Sequence, residues 1–145
     1  MIKDLEHQQY LNKLYEQLKN VSSLADVKFT KEMILDILAN EMQSIYFKPV
    51  KKCLLKNKTE LLIGNEWKNM KVFCLFVKLL SFMPKLEYVE LYRNGIGNEG
   101  CKYISEFLKS NTTLTKLDLG ENSIGSEGCK YISEALKANS TLTQL

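Results

Sequence analysis

The chain has 145 residues, with 20 Lys and Arg against 17 Asp and Glu, 45% hydrophobic and 26% charged positions. That length suits one domain whose core needs no disulfide or metal staple, and a formal charge of +3 is too mild a bias to predict a nucleic-acid or membrane partner. His7 is the one histidine, which removes mechanisms that need two and leaves little room for Ser-His-Asp chemistry.

The register of the whole chain comes from a period of 28. Leu86–Thr113 and Leu114–Thr141 align without a gap and share 17 of 28 positions, including the block GCKYISE. In chain order, the N-terminus MIKDLEHQQY carries charges where a signal peptide needs an apolar core, so a cytoplasmic location is expected. The pattern predicts an N-terminal helix within residues 1–23, with Leu11, Leu14, Tyr15 and Leu18 on one stripe. Residues 24–57 read as a first, longer repeat. Its strand is predicted near Leu24–Phe29, and its helix carries Ile34, Ile37, Leu38 and Ile45. That helix is expected to end near Lys48, because the residue before Pro49 is disfavoured in a helix.

Residues 58–85 read as a degenerate repeat. Leu61 and Ile63 fall under Val89 and Leu91, and Phe73, Phe76 and Leu80 fall under Cys101, Ile104 and Leu108. Glu66 stands where the next unit has Asn94. Residues 86–113 and 114–141 are the clearest units. Each opens on an apolar–charged–apolar alternation, Leu86, Val89 and Leu91 around Glu90, then Leu114, Leu117 and Leu119 around Asp118, as in a strand with one buried face. Gly-rich turns with Asn94 and Asn122 follow, then helices whose stripe in the first copy is Cys101, Ile104, Ser105 and Leu108. Residues 142–145 start a further strand, so the chain reads as a fragment of a longer array or as an unusually short one.

A strand and a helix of this size cannot bury both apolar faces alone, whereas stacked copies can. The pattern LxxLxLxxNxIG followed by EGCKYISExLKxN resembles the ribonuclease-inhibitor-like type of leucine-rich repeat, as in NOD-like receptors and the Ran GTPase-activating protein. The resemblance implies an α/β solenoid: a short horseshoe arc with parallel strands on the concave face and helices on the convex face.

Each candidate feature has a plain structural reading beside the functional one. An amide at Asn94 or Asn122 can satisfy backbone groups buried in a solenoid turn, which outweighs recognition. Cys53, Cys74, Cys101 and Cys129 form no CxxC pair and read as buried apolar fillers. Cys101 and Cys129 fall in neighbouring helices, too far apart for a disulfide. Trp67 is expected to pack under its turn with Met70, three residues on. The Lys-rich stretch from Lys48 to Lys58 reads as a solvated unit boundary rather than a nucleic-acid contact. Asn20, Asn57, Asn111 and Asn139 open glycosylation-like triplets but sit where helices end.

No phosphate loop, nucleophile elbow or HExxH helix is present, so no enzyme, cofactor, metal or small-molecule substrate is expected. The functional candidates are the solvent-facing strand positions, in three columns. One holds Asp26, Glu60, Tyr88 and Lys116, the next Lys28, Leu62, Glu90 and Asp118, and the third Thr30, Gly64, Tyr92 and Gly120. Tyr and Arg combine contact area with a polar handle. Tyr88, Glu90, Tyr92, Arg93, Lys116 and Asp118 are therefore the expected partner-binding set of a protein-interaction scaffold. The alternative, implied by the resemblance alone, is a regulator of a small GTPase.

Overall fold

The computed structural model describes residues 2–145, with side chains from Asp4 onward; Met1, the first residue of the predicted N-terminal helix, lies outside the described residues. Helix α1 (Ile2–Leu18) leads into a 3-10 turn at Leu24–Asp26, followed by α2 (Lys31–Glu41) and α3 (Ser44–Lys56). Strand and helix then alternate: β1 (Glu60–Leu62), α4 (Met70–Leu80), β2 (Tyr88–Glu90), α5 (Gly97–Ser110), β3 (Lys116–Asp118) and α6 (Ser126–Ala138). The strands form one open parallel sheet in the order β1-β2-β3. Leu61, Val89 and Leu117 lie side by side in register, and all three are buried. The fold is a short leucine-rich-repeat solenoid arc.

The core lies between sheet and helices. Eight of the eleven residues of α4 are buried, because α2, α5 and the 3-10 turn at Leu24–Asp26 pack around it, and its sequence MKVFCLFVKLL is apolar nearly all round. Helix α5 keeps the predicted stripe: Cys101, Ile104, Ser105 and Leu108 are buried. Phe73, Phe76 and Leu80 occupy the same layer one repeat earlier.

Two rows of asparagine amides tie the turns together, one at each end of the strands. After the strands, the Asn122 carbonyl accepts from the backbone N–H of Asn94 at 2.8 Å and of Ile96 at 3.2 Å. Its NH2 donates to the carbonyls of Leu91 and Leu119 at 2.7 and 2.9 Å. Asn94 donates in the same way to Ile63 and Tyr92. Before the strands, Asn139 donates to the carbonyls of Leu108 and Asn111 and accepts from the N–H of Leu142; Asn111 accepts from the N–H of Leu114. Thus Asn111 and Asn139 do more than end helices: they order the turn into the next strand.

At the Glu66 position the row ends differently. Glu66 is exposed, and the Trp67 indole N–H donates to the Asn94 carbonyl at 3.0 Å. The Trp67 ring packs on Phe73 and Phe76, with centroids 5.3 and 5.1 Å away. Two rings and an amide thus hold Trp67 under its turn.

The N-terminal third departs from the predicted repeat. No strand forms at Leu24–Phe29. Val27 and Phe29 are buried and Lys28 between them is exposed, so the alternation is real. The segment nonetheless packs on the helices: the Leu24 N–H donates to the Glu106 carboxylate at 2.7 Å, and the 3-10 turn lies against α4 and α5. The Asp26 carboxylate closes that turn by accepting from the N–H and hydroxyl of Ser22, which holds its pKa below the usual value. Asp26, Lys28 and Thr30 are therefore absent from the concave columns; Thr30 instead caps α2, accepting from the Met33 N–H. The one helix predicted to carry Ile34, Ile37, Leu38 and Ile45 and to end near Lys48 is two helices. The break falls at Met42 and Gln43, both extended, and Pro49 sits inside α3. Ile45 is consequently 67% exposed rather than on a buried stripe.

All four cysteines are free thiols; three are buried, but Cys129 on α6 is exposed, contrary to its expected role as a buried filler. Burial pushes the Cys74 thiol up to about 12, with the Glu106 charge adding to it, and burial likewise pushes the Tyr103 hydroxyl up to about 12.

Two outcomes follow from this packing. Asn122→Ala orphans buried N–H groups at about 1–3 kcal/mol each, so urea unfolding should report a loss of about 3 kcal/mol or more. Between pH 9 and 12 the unfolded chain releases protons that Cys74 and Tyr103 retain when folded, so stability falls as pH rises. The melting temperature should drop across that window, and a flat profile contradicts the burial.

Candidate functional site: the concave face of the sheet

Short strands with one buried row leave the alternate residues on the opposite face. Glu60, Tyr88 and Lys116 form one row across the sheet, and Leu62, Glu90 and Asp118 the next. The structure brings the six predicted residues together on this face and its rim. The Lys116 ammonium lies 4.5 Å from the Tyr88 ring centroid, a cation–π distance. Glu90 and Asp118 are cross-strand neighbours, and the Asp118 carboxylate is oriented by accepting from the Gly120 N–H at 2.8 Å. Burial raises the Tyr88 pKa above its ordinary value, and the charges of Glu90, Asp118 and Glu60 add to the shift.

The third row lies just beyond the strand ends and alternates in size. The Tyr92 ring abuts Gly120: a Cβ there would sit 2.9 Å from the ring. Gly64 is approached in the same way by Tyr46 of α3, at 3.1 Å. Arg93, in the left-handed backbone region with φ 55°, stacks 5.3 Å from the Tyr92 ring centroid and pairs with Glu121 at 2.5 Å. That pairing holds the Glu121 carboxyl below its usual value. Both partners are well exposed, so the pair orients Arg93 more than it stabilises the fold.

Leu62 is half exposed, and with Gly64, Glu90 and Tyr92 it lines a shallow depression of about 210 Å³. Two contributors were missed in the sequence. Glu121 stands 28 residues after Arg93 with the opposite charge, a signal the period offered. Tyr46 lies at the start of α3, where the sequence pointed to the end of a single longer helix. Among the described residues no group of three or more His, Cys, Asp or Glu side chains is placed to hold a metal, and no helix is long and apolar enough to cross a membrane.

The ionisation of Tyr88 reads out this acidic neighbourhood. In an NMR titration of the Tyr88 ring, Glu90→Gln with Asp118→Asn should bring its pKa back toward 10.0, and an unmoved titration would exclude the two carboxylates as contributors.

Comparison with known proteins places this geometry. Residues 82–105 and 110–133 each match the family model described as Leucine Rich repeat. The chain is similar to the solved structure of leiomodin-1 actin-binding site 2 (ABS2), with a TM-score of 0.61 and 28% sequence identity over 71% of this chain. The match spans 61% of that structure's chain, about three fifths of its length. No curated protein matches the sequence. Matched repeats, parallel register and the helical outer layer agree: this chain folds as an arc of leucine-rich repeats.

Proposed function

We propose that the protein is a binding scaffold whose concave face docks another protein, with Tyr88, Glu90, Tyr92, Arg93, Lys116 and Asp118 making the contacts. The observation that carries this reading is the arrangement of half-buried Tyr88, Glu90 and Asp118 and exposed Tyr92, Arg93 and Lys116 at fixed strand spacing. Lys116 is held on Tyr88 and Arg93 on Tyr92 before any partner arrives. A sheet clamped at both ends by asparagine amides presents them with little ordering entropy left to lose. The leucine-rich repeats and the likeness to an actin-binding site support binding as the role.

The first partner to test is actin, because leiomodin-1 actin-binding site 2, which is similar over 71% of this chain, binds actin. The alternative of a small-GTPase regulator gains no support from either comparison. The ribonuclease-inhibitor-like type remains a reading of the repeat pattern.

The deciding experiment is co-sedimentation with filamentous actin, paired with anisotropy on labelled monomeric actin. Saturable binding is expected to one of the two forms. Glu90→Lys with Asp118→Lys should weaken it about tenfold or more while leaving the melting temperature unchanged. No binding to either form removes actin as the partner; binding that the reversed charges leave intact removes the concave face as its site.

A further inference from the structure

A second surface lies away from the sheet, on α3. Between Ser44 and Lys58 the chain places five of its 20 basic residues, all lysine, and none of its 17 acidic ones. At about 100° per residue, Val50 and Cys53 point to the core, where both are buried. Lys48, Lys51, Lys52 and Leu55 fall on the opposite arc, with Ile45 and Lys56 at its edge, and all six are exposed. Ile45 and Leu55 are each 67% exposed and stand about 15 Å apart along the axis at 1.5 Å per residue. Lys58 continues the patch beyond Asn57, whose left-handed conformation (φ 50°) ends the helix.

No lysine of this patch is neutralised: the three ion pairs among the described residues lie elsewhere. The acidic residues flanking it in sequence are turned away. Glu41 accepts the Tyr15 hydroxyl, and Glu60 belongs to the concave row. Pro49 costs α3 one backbone bond near its start, yet the helix persists and holds the lysines on one side.

We propose that this face of α3 docks on an anionic phospholipid bilayer, with the lysines meeting the headgroups and Ile45 and Leu55 dipping into the interface. Charge complementarity selects an anionic occupant, since clustered lysines on a helix are drawn to acidic lipid. Three features favour a bilayer over a nucleic acid or an acidic protein. Two aliphatic tips spaced along one flat face suit a broad, soft surface that accepts apolar groups. The cations are lysines, whose long stems lie along apolar surface while the heads stay wet, and no arginine fork reads phosphates in pairs. No exposed aromatic platform for base stacking sits among them. The inference is independent of the concave-face reading, because α3 presents these side chains outside the sheet.

The test is co-sedimentation of the full chain with vesicles of phosphatidylcholine alone and with about one third phosphatidylserine. Binding is expected only to the mixed vesicles, weakening as salt rises toward the physiological range. Lys48→Glu with Lys52→Glu should lower the partition coefficient about tenfold or more, because two attractive charges become repulsive. Ile45→Ser with Leu55→Ser should lower it several-fold while leaving the salt dependence in place. All four positions are exposed, so melting temperatures of both variants should match the parent and exclude misfolding. Equal sedimentation of parent and Lys variant, no binding at low salt, or tighter retention on polyglutamate or RNA than on mixed vesicles would each overturn the proposal.

Discussion

Each turn of this solenoid leaves backbone amides and carbonyls where neither a strand ladder nor a helix can use them, and water cannot reach them. The asparagine amides answer that constraint. A carboxamide offers donors and an acceptor from one planar group, so Asn122 satisfies N–H groups of the preceding turn while donating to carbonyls on both. The strands have only three residues each, too few to fix their own register. The Asn94–Asn122 row at one end and the Asn111–Asn139 row at the other do it for them. Remove the amides and the sheet loses what holds its exposed face in one shape.

The N-terminal third solves a different problem: how to begin such a stack. The first strand has no repeat before it, and α3 takes that place, with Tyr46 closing on Gly64. The segment containing the 3-10 turn crosses the outer helices and is held by the Glu106 carboxylate. Trp67 completes the amide row with an indole N–H because Glu66 could not be buried there unpaired. The start of the array is built from α-helix and aromatic rings, and this leaves α3 with one side in the core and one side free.

The period of 28 made the sheet, the helical stripes and the concave rows legible from residue 58 onward, because identical side chains at fixed spacing meet identical neighbours. Before residue 58 it gave a false strand. The alternation of Val27, Lys28 and Phe29 reports burial on one side without reporting against what. The break at Met42 was hidden, since Pro49 carried the more obvious signal, and the second turn of a helix can accommodate a proline whose freed carbonyl meets water. Glu121 was readable as the charge opposite to Arg93 one period away. The hydrogen bonds of Asn111 and Asn139 were obscured by a triplet that also fits glycosylation.

The third concave row carries a rule of succession. Glycine, tyrosine, glycine follow one another at positions 64, 92 and 120, and each glycine is the recess for a ring from the adjacent layer. One ring, Tyr92, is borne by a repeat, and the other, Tyr46, is supplied by α3. A second copy of the ring-bearing unit placed in tandem would set two aromatic side chains against each other with no hollow for either. Substituting either glycine would press a side chain into a ring, a constraint that the near-identity of the helices conceals.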